Sequence, residues 1–331
     1  MTVGEDFASR TDPFRRELLA HCYRMLGSVH DAEDLVQETL LRAWRAYDQF
    51  DDHRASLRTW LYRIATNACL TALEQRGRRP MPSDLAPPGS DPEALPVDRR
   101  PEITWLQPIP DALLAAAPGD PATIVAARDS IRLAFITALQ HLPARQRAVL
   151  ILRDVLGWRA AEVAELLDTT TAGVNSALQR ARAHLEQVAP AQDDIAEPSD
   201  AQQRELLDRY VSAFVNADVT VLKQLLRDDV VLEMPPYLTW FAGRDLVSRF
   251  LAARSFAAPG KWRPTATRAN GRPALAAYRR GDDGIHHAHA LHVPTITGAG
   301  ISWLVAFQDP DLFPIFGLPR ALAPETHAPQ R

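Results

Sequence analysis

The chain has 331 residues, with 46% hydrophobic and 24% charged residues and a formal net charge of −4. That length suggests two or three domains, and the composition is that of a chain that buries real cores. Two cysteines (Cys22 and Cys69) exclude a disulfide-rich secreted scaffold, no apolar run approaches the ~20 residues that span a bilayer, and the acidic total taken alone argues against nucleic-acid binding.

The N-terminus lacks a signal-peptide core, so a cytoplasmic chain is expected. Proline marks the boundaries. Eleven of the 26 prolines fall between Pro80 and Pro121, where no regular helix or strand can run through. A second break, Pro190 to Pro198, is acidic and has no basic residue. Three folded pieces are expected, at 10–79, 121–189 and 200–320, joined by a Pro-rich linker at 80–120 and a short one at 190–199.

The first piece reads as helical. Leu35, Val36, Leu40, Leu41 and Trp44 recur at helical spacing, and no glycine or proline interrupts Asp31 to Phe50. Leu57, Trp60, Leu61, Ile64, Ala65 and Ala68 repeat the pattern. Asp31, Glu33, Asp34 and Glu38 make one side of the first helix acidic, while Leu35, Leu41 and Trp44 carry its apolar side. Such a helix suits a basic groove on a protein partner, although a solvated face over a buried stripe has the same pattern. In the linker, Trp105, Leu106 and Ile109 point to contact with a surface.

The middle piece reads as a helix-turn-helix. A helix over 142–156 starts at Pro143 and ends at Gly157. Glu162 to Leu167 forms a short second helix, with Val163, Ala164 and Leu167 inward. Asp168 to Thr170 makes the turn, and Ala172 to Val188 the third helix. Val174, Leu178 and Leu185 face the core, whereas Asn175, Ser176, Gln179, Arg180 and Arg182 face out. Asn, Gln and Arg can pair with base edges in the major groove, and Ser and Arg can hold phosphates. A plain helical bundle with a polar surface remains the alternative.

The third piece opens with helix over 201–226. Short β-like runs follow at Val230–Met234, Pro273–Tyr278, Ile285–Val293 and Ile301–Phe307, separated by turn signals such as Asn270-Gly271. Helices first and strands after indicate an α+β fold. His286, His287, His289 and His292 cluster here; on a strand, His287 and His289 share one face, and His286 and His292 the other. Two same-face histidines can bind zinc or exchange protons, but no cysteine lies near and no carboxylate partner stands out, so polar residues of a half-open fold are the simpler reading.

Specific stretches carry a resemblance. Asp31-Ala-Glu-Asp-Leu-Val-Gln-Glu-Thr-Leu-Leu-Arg-Ala-Trp44 resembles the core-polymerase-binding helix of bacterial σ70-type factors. Arg54 to Asn67 is similar to the following helix, which engages the −10 promoter element. Leu142-Pro-Ala-Arg-Gln-Arg147 and Val174 to Arg182 resemble the −35-reading domain. Two helical domains around a Pro-rich linker fit the extracytoplasmic-function (ECF) group. The final third resembles a SnoaL-like domain of the NTF2-like superfamily, on Asn270 to Tyr278 and Ala306 to Pro314, and the whole resembles the sigma factor G-like branch.

The resemblance implies two all-α sigma domains, the second with the helix-turn-helix, plus an α+β NTF2-like cone. It implies a transcription initiation factor, not an enzyme, with core RNA polymerase (β′ and β subunits) and promoter DNA as partners, and no cofactor or metal. Polymerase contacts fall on Asp31, Glu33, Asp34, Leu35, Gln37, Glu38, Leu41 and Trp44, and −10 contacts on Arg54, Ser56, Arg58, Trp60, Arg63, Asn67 and Arg76. The −35 contacts fall on Thr170, Thr171, Asn175, Ser176, Gln179, Arg180 and Arg182. Trp158-Arg159 stands where relatives carry a capping Ser or Thr, a loss of about 1 kcal/mol. Asn175 and Ala177 stand where relatives carry cations, which weakens the salt-dependent grip on DNA.

For the third domain three readings stay open: a built-in regulator, a sensor of an unknown small ligand, or an isomerase-, cyclase- or hydrolase-type enzyme. Glu233, Tyr237, Trp240, Tyr278, His289 and Trp303 are its expected pocket residues. The negative charge lies in the linkers: residues 80–120 carry two arginines against seven acids. The folded pieces are nearly neutral, so DNA recognition is expected to depend on a protein partner.

Overall fold

The computed structural model describes residues 3–53, 55–94, 98–114, 129–188, 199–255 and 260–323. Arg54, residues 115–128 and the break at 190–198 lie outside them. Two compact units emerge, Met1–Pro80 with Leu106–Ala191, and Met81–Trp105 with Gln192–Arg331. The contacts thus group the chain differently from three pieces on linkers. Most of the Pro-rich segment packs with the last third, and both helical pieces share one unit. No helix among the described residues is long and apolar enough to cross a membrane.

The first unit is all-α. Helices α1 (Val3–Thr11), α2 (Arg15–Leu26), α3 (Val29–Arg45) and α4 (Leu57–Arg76) come first. Ser28 and Ser56 cap α3 and α4 by accepting the backbone N–H groups of Asp31 (3.2 Å) and Thr59 (3.1 Å). α3 ends at Arg45, and a short turn at Tyr47–Gln49 replaces the expected continuation to Phe50. Leu18, Cys22, Met25, Val29, Ala32, Leu61, Ala65 and Cys69 form the buried core between these helices.

After the short helix α5 (Asp111–Leu114) come α6 (Leu133–Gln140), α7 (Ala144–Leu150), α8 (Ala160–Leu166) and α9 (Thr171–Val188). A π-turn at Ile151–Val155 extends α7. The missing hydroxyl cap of α8 is offset from inside the helix: Glu162 accepts the Arg159 backbone N–H at 2.7 Å and pairs with its guanidinium at 2.8 Å.

Arg147 ties the helical pieces together. Its buried guanidinium donates to the carbonyls of Gln140 and Leu142, to the Gln140 side chain and to the Met25 carbonyl at the end of α2. Arg24 donates in return to Ser130, and Tyr62 packs on Trp158 with ring centroids 5.5 Å apart. Gly27 turns the chain at φ 68°, and an added Cβ would meet the Gln140 side chain at 3.0 Å, so a side chain is excluded twice over. The Leu106 N–H donates to the Pro80 carbonyl at 3.4 Å, pinching together the two ends of the 81–105 excursion.

The second unit is α+β. α10 (Asp200–Asn216) stops at Ala217, whose φ is 55°, and Asp218 then caps α11 (Val219–Leu225). One long helix was expected here; the left-handed residue and its cap divide it. The strands are β1 (Leu226–Glu233), β2 (Trp240–Ala242), β3 (Trp262–Ala269), β4 (Arg272–Arg280), β5 (His286–Thr297), β6 (Gly300–Phe307) and β7 (Ala321–Leu322). The sheet order is β2-β1-β6-β5-β4-β3, with β7 on β5; β1 and β6 run parallel and the other pairs antiparallel. Helix α12 (Arg244–Arg254) follows β2, and α13 (Leu312–Ile315) follows β6. Asn270-Gly271 makes the β3–β4 turn with both φ angles positive, as a tight hairpin requires. Tyr210, Phe214, Leu222, Val247 and Phe250 of the helices bury against Leu232, Leu275 and Leu304 of the sheet, forming the cone.

Candidate functional site

The outer face of α3 presents Asp34, Gln37, Leu41 and Trp44. Leu41 and Trp44 are 44% and 41% exposed, whereas Val36, Leu40 and Ala43 fill the core. Leu41 and Trp44, expected on the apolar side of the helix, thus lie on the solvent face beside the acids. Leu35, Glu33 and Glu38 are half-buried, and Glu38 pairs with Arg42 at 2.7 Å. Asp31 departs from this face's expected role. It takes Arg76 at 2.7 Å and also Arg79, so an expected polymerase contact pairs with an expected −10 contact within the fold.

On α4, Arg63 and Asn67 are exposed four residues apart and share a stripe. Trp60 is half-buried against Phe50, with centroids 4.8 Å apart. Arg58 pairs with Glu17 at 2.8 Å and lies over the Tyr62 ring. Ser56 is occupied as the α4 cap. Arg54 lies outside the described residues.

On α9, Thr171, Asn175, Ser176, Gln179, Arg180 and Arg182 are all exposed, over buried Val174, Leu178 and Ala181. Thr170 caps the helix by accepting the Gly173 N–H at 3.0 Å. Arg180 donates to Ser176 at 2.6 Å, and Arg182 grips Asp154 with two bonds of 2.7 and 2.9 Å. Asn175 and Gln179, one turn apart, make no hydrogen bond to described residues through their side chains and present free amides.

The expected pocket of the second unit divides in two. Tyr237 and His289 line a cavity of about 380 Å³, with Phe214, Met234, Phe250, Lys261, Arg279 and His292. Glu233, Trp240 and Trp303 instead anchor the Pro-rich segment. Glu233 accepts the Ser83 N–H at 2.9 Å and the Trp303 indole N–H at 2.7 Å. Burial pushes its carboxyl up from the ordinary value, against the pull of these donors. The Trp240 indole donates to the Ala86 carbonyl at 2.7 Å, and the Trp240 carbonyl takes the Gly89 N–H, also at 2.7 Å. Further along, Leu238 N–H donates to Asp98 and Arg100 N–H to Pro236. Tyr278 is core: it packs on Phe313 and donates to the Pro319 carbonyl.

The histidines pair differently from strict alternation. Ala277 pairs with Ala290 but Tyr278 with Ala288, so β5 carries one extra residue, His289. That bulge brings His289 and His292 to the same cavity. Tyr210 hydroxyl and His292 Nδ1 lie 2.9 Å apart. Burial lowers His292 to about 3; burial, with Arg279 and Lys261 nearby, lowers His289 to about 4. His287 lies outside on the surface and has the carboxylate partner the sequence did not reveal, Asp283 at 2.8 Å. Among the described residues no group of three or more His, Cys, Asp or Glu has metal-site geometry.

The sigma-70 region 2 family matches residues 12–79, and the sigma-70 region 4 family matches residues 132–185. The ECF RNA polymerase sigma factor SigG of Mycobacterium tuberculosis is 52% identical over 319 residues, 96% of this chain and 85% of that protein. ECF sigma factor SigJ of the same species is 29% identical over 250 residues, 73% of this chain and 71% of its own. The crystal structure of the M. tuberculosis extracytoplasmic function sigma factor SigJ covers 94% of this chain and 99% of its own, with a TM-score of 0.62 at 24% identity, which shows a common fold. The chain belongs to the ECF RNA polymerase sigma factors.

Proposed function

We propose that this sigma factor grips core polymerase through the exposed α3 face of Asp34, Gln37, Glu38, Leu41 and Trp44. Exposed large apolar groups ringed by acids suit a desolvating, charge-steered interface. The −10 element is engaged by the Arg63–Asn67 stripe of α4 with Arg58, Trp60 and Arg54, and the −35 element by Asn175, Ser176, Gln179 and Arg180 of α9. The protein acts in the cytoplasm, where its polymerase is.

The second unit is a built-in regulator that acts on the linker. The observation that carries this is the docking of residues 81–105 on it, through Glu233, Trp240, Pro236 and Leu238. Undocked and extended, those residues would add on the order of 80 Å of reach between the sigma domains. Docked, with their ends pinched at Pro80 and Leu106, they keep the connection short and favour the closed packing around Arg147. The second unit acts by docking the linker, a role that needs no chemistry of its own.

Promoter-dependent transcription with reconstituted polymerase tests the reading. Truncation from residue 199 onward releases the linker and raises output. Unchanged output refutes the regulatory role.

A further inference from the structure

The cavity of the second unit has a charge arrangement that linker docking engages only through Arg254, which donates to the Glu93 carbonyl. Its floor is apolar: Phe214, Leu232, Met234, Phe250, Leu304 and Ala306. Arg254, Lys261 and Arg279 also line it, and no Asp or Glu does so among the described residues. Burial holds the two histidines there neutral, so they add no further positive charge.

The three cations are poorly compensated. Lys261 Nζ donates to the backbone carbonyl of Arg254 at 3.1 Å, not to a carboxylate. Arg254 donates one guanidinium nitrogen to the Glu93 carbonyl, while its buried Nε makes no hydrogen bond. Arg279, on the exposed end of β4, forms no ion pair among the described residues. One buried donor without an acceptor and three like charges around one cavity are costly unless an anion enters.

We infer that this cavity binds a small amphipathic anion: an acidic headgroup held by Arg254, Lys261 and Arg279, and an apolar tail lying on the Phe214–Met234–Phe250 floor. The volume of about 380 Å³ lies within the range of small-molecule sites and suits one medium-length chain. A cation is repelled, and a sugar phosphate or nucleotide would press its polar body on the apolar floor, where only Tyr237, Ser255, Gln308 and the histidines offer polar atoms. A neutral apolar ligand would fill the floor but leave the cations unanswered.

Calorimetric titration of the full chain tests this with decanoate as probe and decanol as the matched neutral chain. Decanoate is expected to bind one-to-one and at least about tenfold more tightly than decanol. Lys261→Met and Arg279→Met keep length while removing charge at half-buried and exposed positions. Each is expected to weaken decanoate about tenfold, leave decanol unchanged and leave the melting temperature near that of the parent. Absence of decanoate binding, equal affinity for decanol, or a Lys261→Met/Arg279→Met double variant that binds decanoate like the parent would overturn the inference.

Discussion

Gly89→Val separates linker docking from everything else the second unit does. A Cβ at Gly89 would lie 2.8 Å from Phe241 Cε1 and 3.3 Å from two further ring atoms. Phe241 cannot yield, because it is fully buried and packs on Phe250 with centroids 4.7 Å apart. Overpacking of this kind costs about 1–3 kcal/mol. A segment that lifts away instead forfeits the 2.7 Å bond from Gly89 N–H to the Trp240 carbonyl, worth about 0.5–1.5 kcal/mol. The cost to the docked state is therefore about 1–3 kcal/mol, a shift of roughly 5- to 150-fold in its docked-to-free ratio. Hydrogen exchange reads the release at the amides of Ser83, Gly89 and Arg100, and reconstituted transcription reads its consequence. The expected result is lost protection with raised transcription, and a smaller effect for Gly89→Ala. Retained protection refutes the steric argument. Lost protection with unchanged transcription refutes the regulatory one.

Four other outcomes are expected. Arg147→Ala removes the guanidinium donors to the carbonyls of Gln140, Leu142 and Met25 and costs about 3 kcal/mol of first-unit stability in urea titration; a loss under about 1 kcal/mol contradicts this. Leu41→Asp weakens binding to core polymerase about tenfold or more without lowering the melting temperature, because the side chain is 44% exposed. Gln179→Ala costs about 1–3 kcal/mol of discrimination at one −35 base pair, and equal loss on all sequences speaks against base reading. Finally, His292 is held neutral, at about 3 against an ordinary 6.5, so between these values the unfolded chain binds the extra proton. Stability is therefore full above pH 6.5 and falls by about 1.4 kcal/mol per unit below it for this group. The drop in melting temperature from pH 7 to pH 5 is smaller in His292→Phe, and equal slopes would exclude the contribution.

Much of the molecule was legible because local rules decide it. Helical spacing of apolar residues places α3, α4 and α9. Turn glycines and alternation place β4, β5 and β6. Helix α12 was legible but passed over: Val247, Phe250 and Leu251 have helical spacing. Strand β2 was not, since three residues carry no period.

The sequence by itself determined the family and most of the element types. Those follow from residue type at fixed spacing along a single element. Tertiary structure decided everything that depends on residues distant in the chain. Glu233, Trp240 and Trp303 looked like pocket walls until their hydrogen bonds to Ser83 and Ala86, or to each other, assigned them to the linker. Alternation separated His289 from His292, and a single bulged residue on β5 reunited them. Asp31 and Arg76 read as contacts for two different partners, and folding joined them in one ion pair. A spacing rule sees only neighbours on its own element. A hydrogen bond across 150 residues, or one extra residue in a ladder, is set by how the elements close on one another.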